Sequence, residues 1–194
     1  MLKELELMKE IIDKKYEELN YDKRNKNNIF WKITEFEANA IGQIGEKFVK
    51  ETFRKFNLKF DETKKNFHDE YDIKLQDGTK IEIKTARKGK KNDTFQFNGI
   101  NPNYTPDFII FIGILENNLL YRILNKKDKM EYRHKGRKWM VDLGATEKQL
   151  VKMNPDNQVN YKLTLNKKEL KDISDLEDDI KSTILKKWLL KPKL

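Results

Sequence analysis

Residues 68–87 read HDEYDIKLQDGTKIEIKTAR. Tyr71, Ile73 and Leu75 alternate with Asp72 and Lys74. Strand side chains alternate between two faces, so this is the pattern of a half-buried strand. Asp77 and Gly78 follow, a strong hairpin signal, because glycine accepts the positive φ of a tight turn. Beyond the turn Ile81 and Ile83 alternate with Glu82 and Lys84. The stretch predicts a two-stranded hairpin. Its second strand sends two isoleucines to one face, and Glu82 with Lys84 to the other.

The flanks extend the pattern. Leu2, Leu5, Met8, Ile12, Tyr16 and Leu19 recur at helical spacing over 2–20. A polar basic linker follows at 21–28. Residues 33–56 predict a second helix, with Thr34 as a possible cap, interrupted by Gly42 and Gly45. A helix tolerates glycine where its backbone must approach another element closely. Glu46 sits directly after Gly45, at the border of the apolar stripe. Residues 58–60 predict a short strand. After Arg87 come a basic loop and then TFQFNGINPNYTP, rich in aromatics and turn formers. DFIIFIGIL (107–115) predicts a strand buried on both faces. Further strands are expected at 119–124, 139–143 and 158–165. Leu176, Ile180, Ile184, Trp188 and Leu189 mark a C-terminal helix, acidic at its entry and basic at its exit, as the helix dipole favours. The fold class is therefore α/β, an α+β arrangement on a mixed sheet. The expected organisation is one domain over 1–194: helix and linker at 1–30, core at 33–124, and an extension at 125–194 for DNA binding or dimerisation.

Composition narrows the function. With 41 Lys and Arg against 32 Asp and Glu, the net charge is +9, which favours a polyanionic partner, nucleic acid before a membrane surface. There is no cysteine, so disulfides, zinc–thiolate sites and thiol catalysis are excluded. No stretch approaches the ~20 apolar residues of a membrane span. The first residues, MLKELELMKEII, do not read as a signal peptide. A cytoplasmic protein is expected, with no membrane partner. The only histidines, His68 and His134, have no partner pattern for metal or base chemistry.

Asp72, Glu82 and Lys84 bring two carboxylates and an ammonium to one end of the hairpin. That set suits a divalent metal and phosphodiester hydrolysis. Glu-x-Lys alone means little, since it also occurs at Glu62–Lys64 and Glu169–Lys171. Only Glu82 and Lys84 lie between strand isoleucines, after a glycine turn, with Asp72 on the preceding strand. Asp69 and Glu70 are nearby alternatives to Asp72. The plainer reading is an exposed ion pair of small worth.

The order of a helix carrying Gly45-Glu46, a strand, an Asp72 strand, the Glu82-Ile83-Lys84 strand and a buried strand resembles the PD-(D/E)XK nuclease superfamily. The resemblance covers about residues 33–115, and a tyrosine, Tyr71, stands where the family motif has proline. It implies a restriction-endonuclease-like core and a Mg²⁺-dependent endonuclease, with Mn²⁺ as a substitute. Asp72, Glu82 and the Ile83 carbonyl would be ligands. Lys84 would assist the attacking water or the oxyanion, and Glu46 would support a second metal or act through water. The expected products carry a 5′-phosphate and a 3′-hydroxyl. The chain is most like a type II restriction endonuclease, acting as a homodimer on double-stranded DNA. The alternatives are a structure-selective nuclease, such as a Holliday-junction resolvase, and a DNA-binding module without catalysis.

Phosphate contacts are expected from Arg87, Lys88, Lys90 and Lys91, and from Arg133, Lys135, Arg137 and Lys138. Gln96, Asn98 and Asn101 are candidates for base contact, with Asn103 and Tyr104 nearby. The plainer reading makes Gln96 a loop residue and the asparagines turn formers.

Overall fold

The computed structural model describes residues 2–19, 28–61, 70–89, 92–156 and 159–185. Helices α1 (Lys3–Glu18) and α2 (Ala38–Lys55) come first. Strands β1 (Phe60–Asp61), β2 (Ile73–Leu75), β3 (Lys80–Arg87), β4 (Thr94–Ile100), β5 (Phe108–Ile114) and β6 (Leu119–Asn125) follow. A one-turn helix α3 (Lys126–Lys129) leads to β7 (Met130–Arg133), β8 (Lys138–Asp142), β9 (Glu147–Gln149), β10 (Val151–Lys152), β11 (Tyr161–Asn166) and β12 (Lys171–Asp172). The short helix α4 (Leu176–Asp179) continues into a helical turn, Ile180–Ile184.

The centre is a six-stranded mixed sheet in the order β1–β2–β3–β5–β6–β12. The β2–β3 hairpin forms as its turn chemistry requires. Gly78 has φ +87°, its N–H donates to the Leu75 carbonyl at 2.9 Å, and Asp77 Oδ1 accepts from Thr79 N–H at 2.9 Å. β3 and β5 run parallel and the other pairs antiparallel. The parallel crossover passes through β4 rather than through a helix.

Period-two alternation divides the interior into two cores. Ile110, Ile112 and Ile114 of β5 join Ile81 and Ile83 of β3 against α1, α2 and the C-terminal helix. Ile109 and Phe111 face the other way, onto Phe95 and Phe97 of β4 and Leu163 and Leu165 of β11. Burying a side chain such as Phe48, Phe53 or Phe111 contributes about 1.5–3 kcal/mol. Helices thus cover one face of the central sheet. Two three-stranded sheets, β10–β11–β4 and β7–β8–β9, make up the strands outside it.

Several elements differ from the sequence reading. The second helix starts at Ala38, because residues 31–35 form a separate tight 3₁₀ turn and Phe36 is extended. Thr34 does not cap it; its Oγ1 donates to the Trp31 carbonyl. Residues 94–100 are strand, not loop. The segment beyond residue 125 is no appendage, since β12 completes the central sheet and Ile173, Leu176, Ile180 and Ile184 complete the first core. Trp188 and Leu189 lie outside the described residues. Among the described residues no helix is long and apolar enough to cross a membrane.

Candidate active site

β2 accompanies β3 only briefly. Ile73 pairs with Ile81 and Lys74 with Lys80, and Asp72 N–H donates to the Ile81 carbonyl at 2.8 Å. At the next step the Asp72 side chain replaces the strand, its Oδ2 accepting from Ile83 N–H at 2.6 Å. The N–H and C=O of one strand residue point to the same side. The Ile83 carbonyl is therefore turned toward this same edge, where β2 has ended.

Glu82 and Lys84 project from the face opposite Ile81 and Ile83. Lys84 Nζ lies 2.7 Å from Glu82 Oε1. Glu82 is only 5% exposed, and its second oxygen, Oε2, is buried with no hydrogen-bond partner among the described residues. Burial pushes the Glu82 carboxyl above the usual range. Lys84 opposes that rise, and the neighbouring Asp72 charge adds to it. Gly99 has φ +72°, and a Cβ there would stand 3.7 Å from Lys84 Nζ, so the lysine lies close under the β4 backbone.

Lys126, at the start of α3, belongs to the same environment. It donates to the carbonyls of Pro102 and Tyr104. Burial pushes it down, while Glu82 and Glu70 draw it back up. Strand register explains its position. Glu82 pairs with Ile109 and Ile109 with Leu124, so the residue two beyond Leu124 emerges at the Glu82 end of the sheet. No local sequence signal marks it. Glu70 accepts from both the N–H and the hydroxyl of Thr105, which pull it below the usual range.

A cleft of about 750 Å³ opens along residues 83–89. Ala38, Asn39, Gly42 and Glu46 of α2 form one wall, and Gln96, Asn98 and Gly99 of β4 another, with Met153 and Asn160 beside them. Glu46 lies 3.8 Å from Lys50. Among the described residues no group of three or more Asp, Glu, His or Cys side chains is placed to hold a metal ion. The chemistry of the remaining donors fits a hard cation: two carboxylates, one with a buried oxygen lacking a partner, and a strand carbonyl. Mg²⁺ retains several waters and needs few protein ligands.

The expected nucleic-acid contacts separate into groups. Lys88, Gln96 and Asn98 line the cleft, with Lys88 3.5 Å from Asp93. Arg87 lines it too, but its guanidinium donates to the carbonyls of Ile33 and Thr34, tying β3 to the 3₁₀ turn. Asn101 is 7% exposed and closes a turn through Asn103 N–H, which is the turn-former role. Lys90 and Lys91, like His68, fall outside the described residues. Arg133, Lys135, Arg137 and Lys138 lie on the β7–β8 hairpin and are not among the residues lining the cleft. Lys126, Asn39, Met153 and Asn160 were not expected from the sequence. No protein-family model matches the chain, and no curated protein matches it.

Proposed function

We propose that this chain is a metal-dependent endonuclease of the PD-(D/E)XK type that cuts double-stranded DNA at specific sites, as a type II restriction enzyme. The observation that carries this reading is the convergence of Asp72 and Glu82 beside the β3 edge, with Lys84 on one Glu82 oxygen and the other oxygen without a partner. The order of helix, hairpin and parallel buried strand agrees with a restriction-endonuclease-like core.

Asp72, Glu82 and the Ile83 carbonyl would hold Mg²⁺, or Mn²⁺ in its place. Such an ion acidifies a bound water and offsets charge on the phosphate under attack. Lys84 opposes the upward push that burial gives the Glu82 carboxyl, and places a positive charge next to the reacting phosphate. Glu46 acts from the α2 wall through water. Lys88 meets the phosphate backbone, and Gln96 and Asn98, exposed on β4, meet base edges. A homodimer would bring two such sites to the two strands.

The test is incubation with plasmid and phage DNA, with and without Mg²⁺. Discrete fragments are expected. A smear indicates a non-specific nuclease, and cutting of four-way junctions alone a resolvase. DNA binding without cleavage in either Mg²⁺ or Mn²⁺ sinks the enzymatic reading.

A further inference from the structure

We propose that the tip of the β7–β8 hairpin is a second nucleic-acid contact, a stacking platform for unpaired bases that is separate from the cleft. Tyr132 and Trp139 are direct partners across the hairpin and so share one face. Their ring centroids are 5.3 Å apart. His134, two residues beyond Tyr132, meets the tyrosine ring edge-on at 5.2 Å. Trp139 is half-buried against the second core and anchors the group. Tyr132 is 40% exposed, and His134 is exposed. A single exposed aromatic needs no explanation. Three rings in contact at an exposed turn, flanked by cations, form a surface suited to π-stacking with bases.

The charges are distributed to match. On the opposite face Arg133 is held by two carboxylates, Glu131 and Glu147, so its charge is already balanced there. At the tip Lys135 and Arg137 are exposed and form no ion pair among the described residues. Arg137 also has φ +48°, directly after Gly136 at φ +89°. Left-handed backbone disfavours arginine and favours glycine or asparagine. The two consecutive positive φ values are those of a tight hairpin turn, which leaves both cations exposed at the tip. The net charge of +9 selects a polyanion. A duplex hides its base faces, so the aromatic platform selects unpaired bases, of DNA or RNA.

The experiment uses the full chain in EDTA, where binding is read without cleavage. It therefore stands or falls separately from the nuclease reading. The probes are fluorescent oligo(dT) and oligo(rU), with heparin as a polyanion that lacks bases. Binding of at least one oligonucleotide is expected, with Tyr132→Ala about tenfold weaker and heparin binding unchanged in that variant. Arg137→Gly is expected to weaken both ligands while the melting temperature stays level or rises, since glycine relieves the left-handed backbone. The proposal is overturned if neither oligonucleotide binds, if Tyr132→Ala binds like wild type, or if Tyr132→Ala weakens heparin binding as much as oligonucleotide binding.

Discussion

Glu82 with Lys84 and Glu147 with Arg133 are both strand-borne ion pairs, one buried and the other open to water. In the open pair the guanidinium meets both oxygens of Glu147 and one of Glu131. In the buried pair a single ammonium meets one oxygen, and the other is left in the interior without a partner. Burying a charge costs several kcal/mol unless pairing is complete. A protein shaped only for stability would complete that pair or replace it with apolar residues. The incomplete pair beside Asp72 is the observation on which the proposed cation site rests. The complete pair is surface electrostatics of small worth.

Removing the buried charge is expected to have the largest effect. Glu82→Gln keeps the shape of the side chain and removes a ligand charge. Under the nuclease reading, plasmid cleavage in Mg²⁺ should fall by about 10³-fold or more. Stability to urea should be unchanged or higher, because a buried carboxylate has been neutralised. Substantial cleavage by this variant would remove the distinction between the two pairs. Lys84→Ala should lose cleavage as well, but should lower stability, since it leaves Glu82 buried and alone.

The helix wall of the same cleft offers a second contrast, between its two glycines. A Cβ at Gly45 would stand 1.7 Å from Thr85 Oγ1, inside the contact between α2 and β3. Gly45→Ala is expected to cost about 1–3 kcal/mol by overpacking. A Cβ at Gly42 would meet nothing within 4 Å, so Gly42→Ala should gain up to about 1 kcal/mol from helix propensity. Denaturant unfolding of both variants measures the difference. Equal effects would mean that α2 does not press on β3 at Thr85.

What could be read in the sequence was local. The Asp77-Gly78 turn and the flanking alternation specify the hairpin, and the apolar run at 107–115 specifies a central strand, with no need of distant partners. The need for close approach was legible at Gly45 as a helix glycine, but the same reading fails at Gly42, where a Cβ would meet nothing within 4 Å. β4 was not legible. Phe95 and Phe97 keep period two, but Ile100 comes three residues later, across an irregularity opposite Tyr161 and Leu163. Asn98, Gly99, Asn101 and Pro102 then resemble a loop. Of the site, Asp72, Glu82 and Lys84 were legible because turn and strand period bring them together. Lys126 was not, because only the β3–β5–β6 register brings it near Glu82. The carbonyl partners of Arg87 were equally hidden, since nothing local to β3 announces the 3₁₀ turn.

A third carboxylate tests how completely paired groups respond to pH. Asp179 is partly buried, which alone would raise its pKa. Hydrogen bonds from Lys171, at 2.6 Å, and Tyr121, at 2.7 Å, outweigh this and hold it below the ordinary 3.8. A depressed folded-state pKa contributes stability that is present above the unfolded value and lost as pH falls through the folded one. Asp179→Asn should therefore cost about 1–2 kcal/mol at neutral pH. That difference should shrink once the pH drops below 3.8 and vanish below the folded value. Urea titrations of both proteins across that range measure it. A difference that did not change with pH would assign the effect to packing of the C-terminal helix.

The smallest effect is expected at the exposed pair. Arg133→Ala leaves Glu131 and Glu147 in water, where each regains hydration. The side chain is 40% exposed, and its ion pairs are screened by salt. The expected cost is below about 1 kcal/mol. It should fall further as ionic strength rises, whereas salt should scarcely change the cost of Lys84→Ala beside a carboxylate 6% exposed. Measuring both variants in low and high salt tests the comparison directly. If Arg133→Ala costs as much as Lys84→Ala and is equally insensitive to salt, the Arg133 cluster is structural. The β7–β8 hairpin would then need it to hold the aromatic face in place.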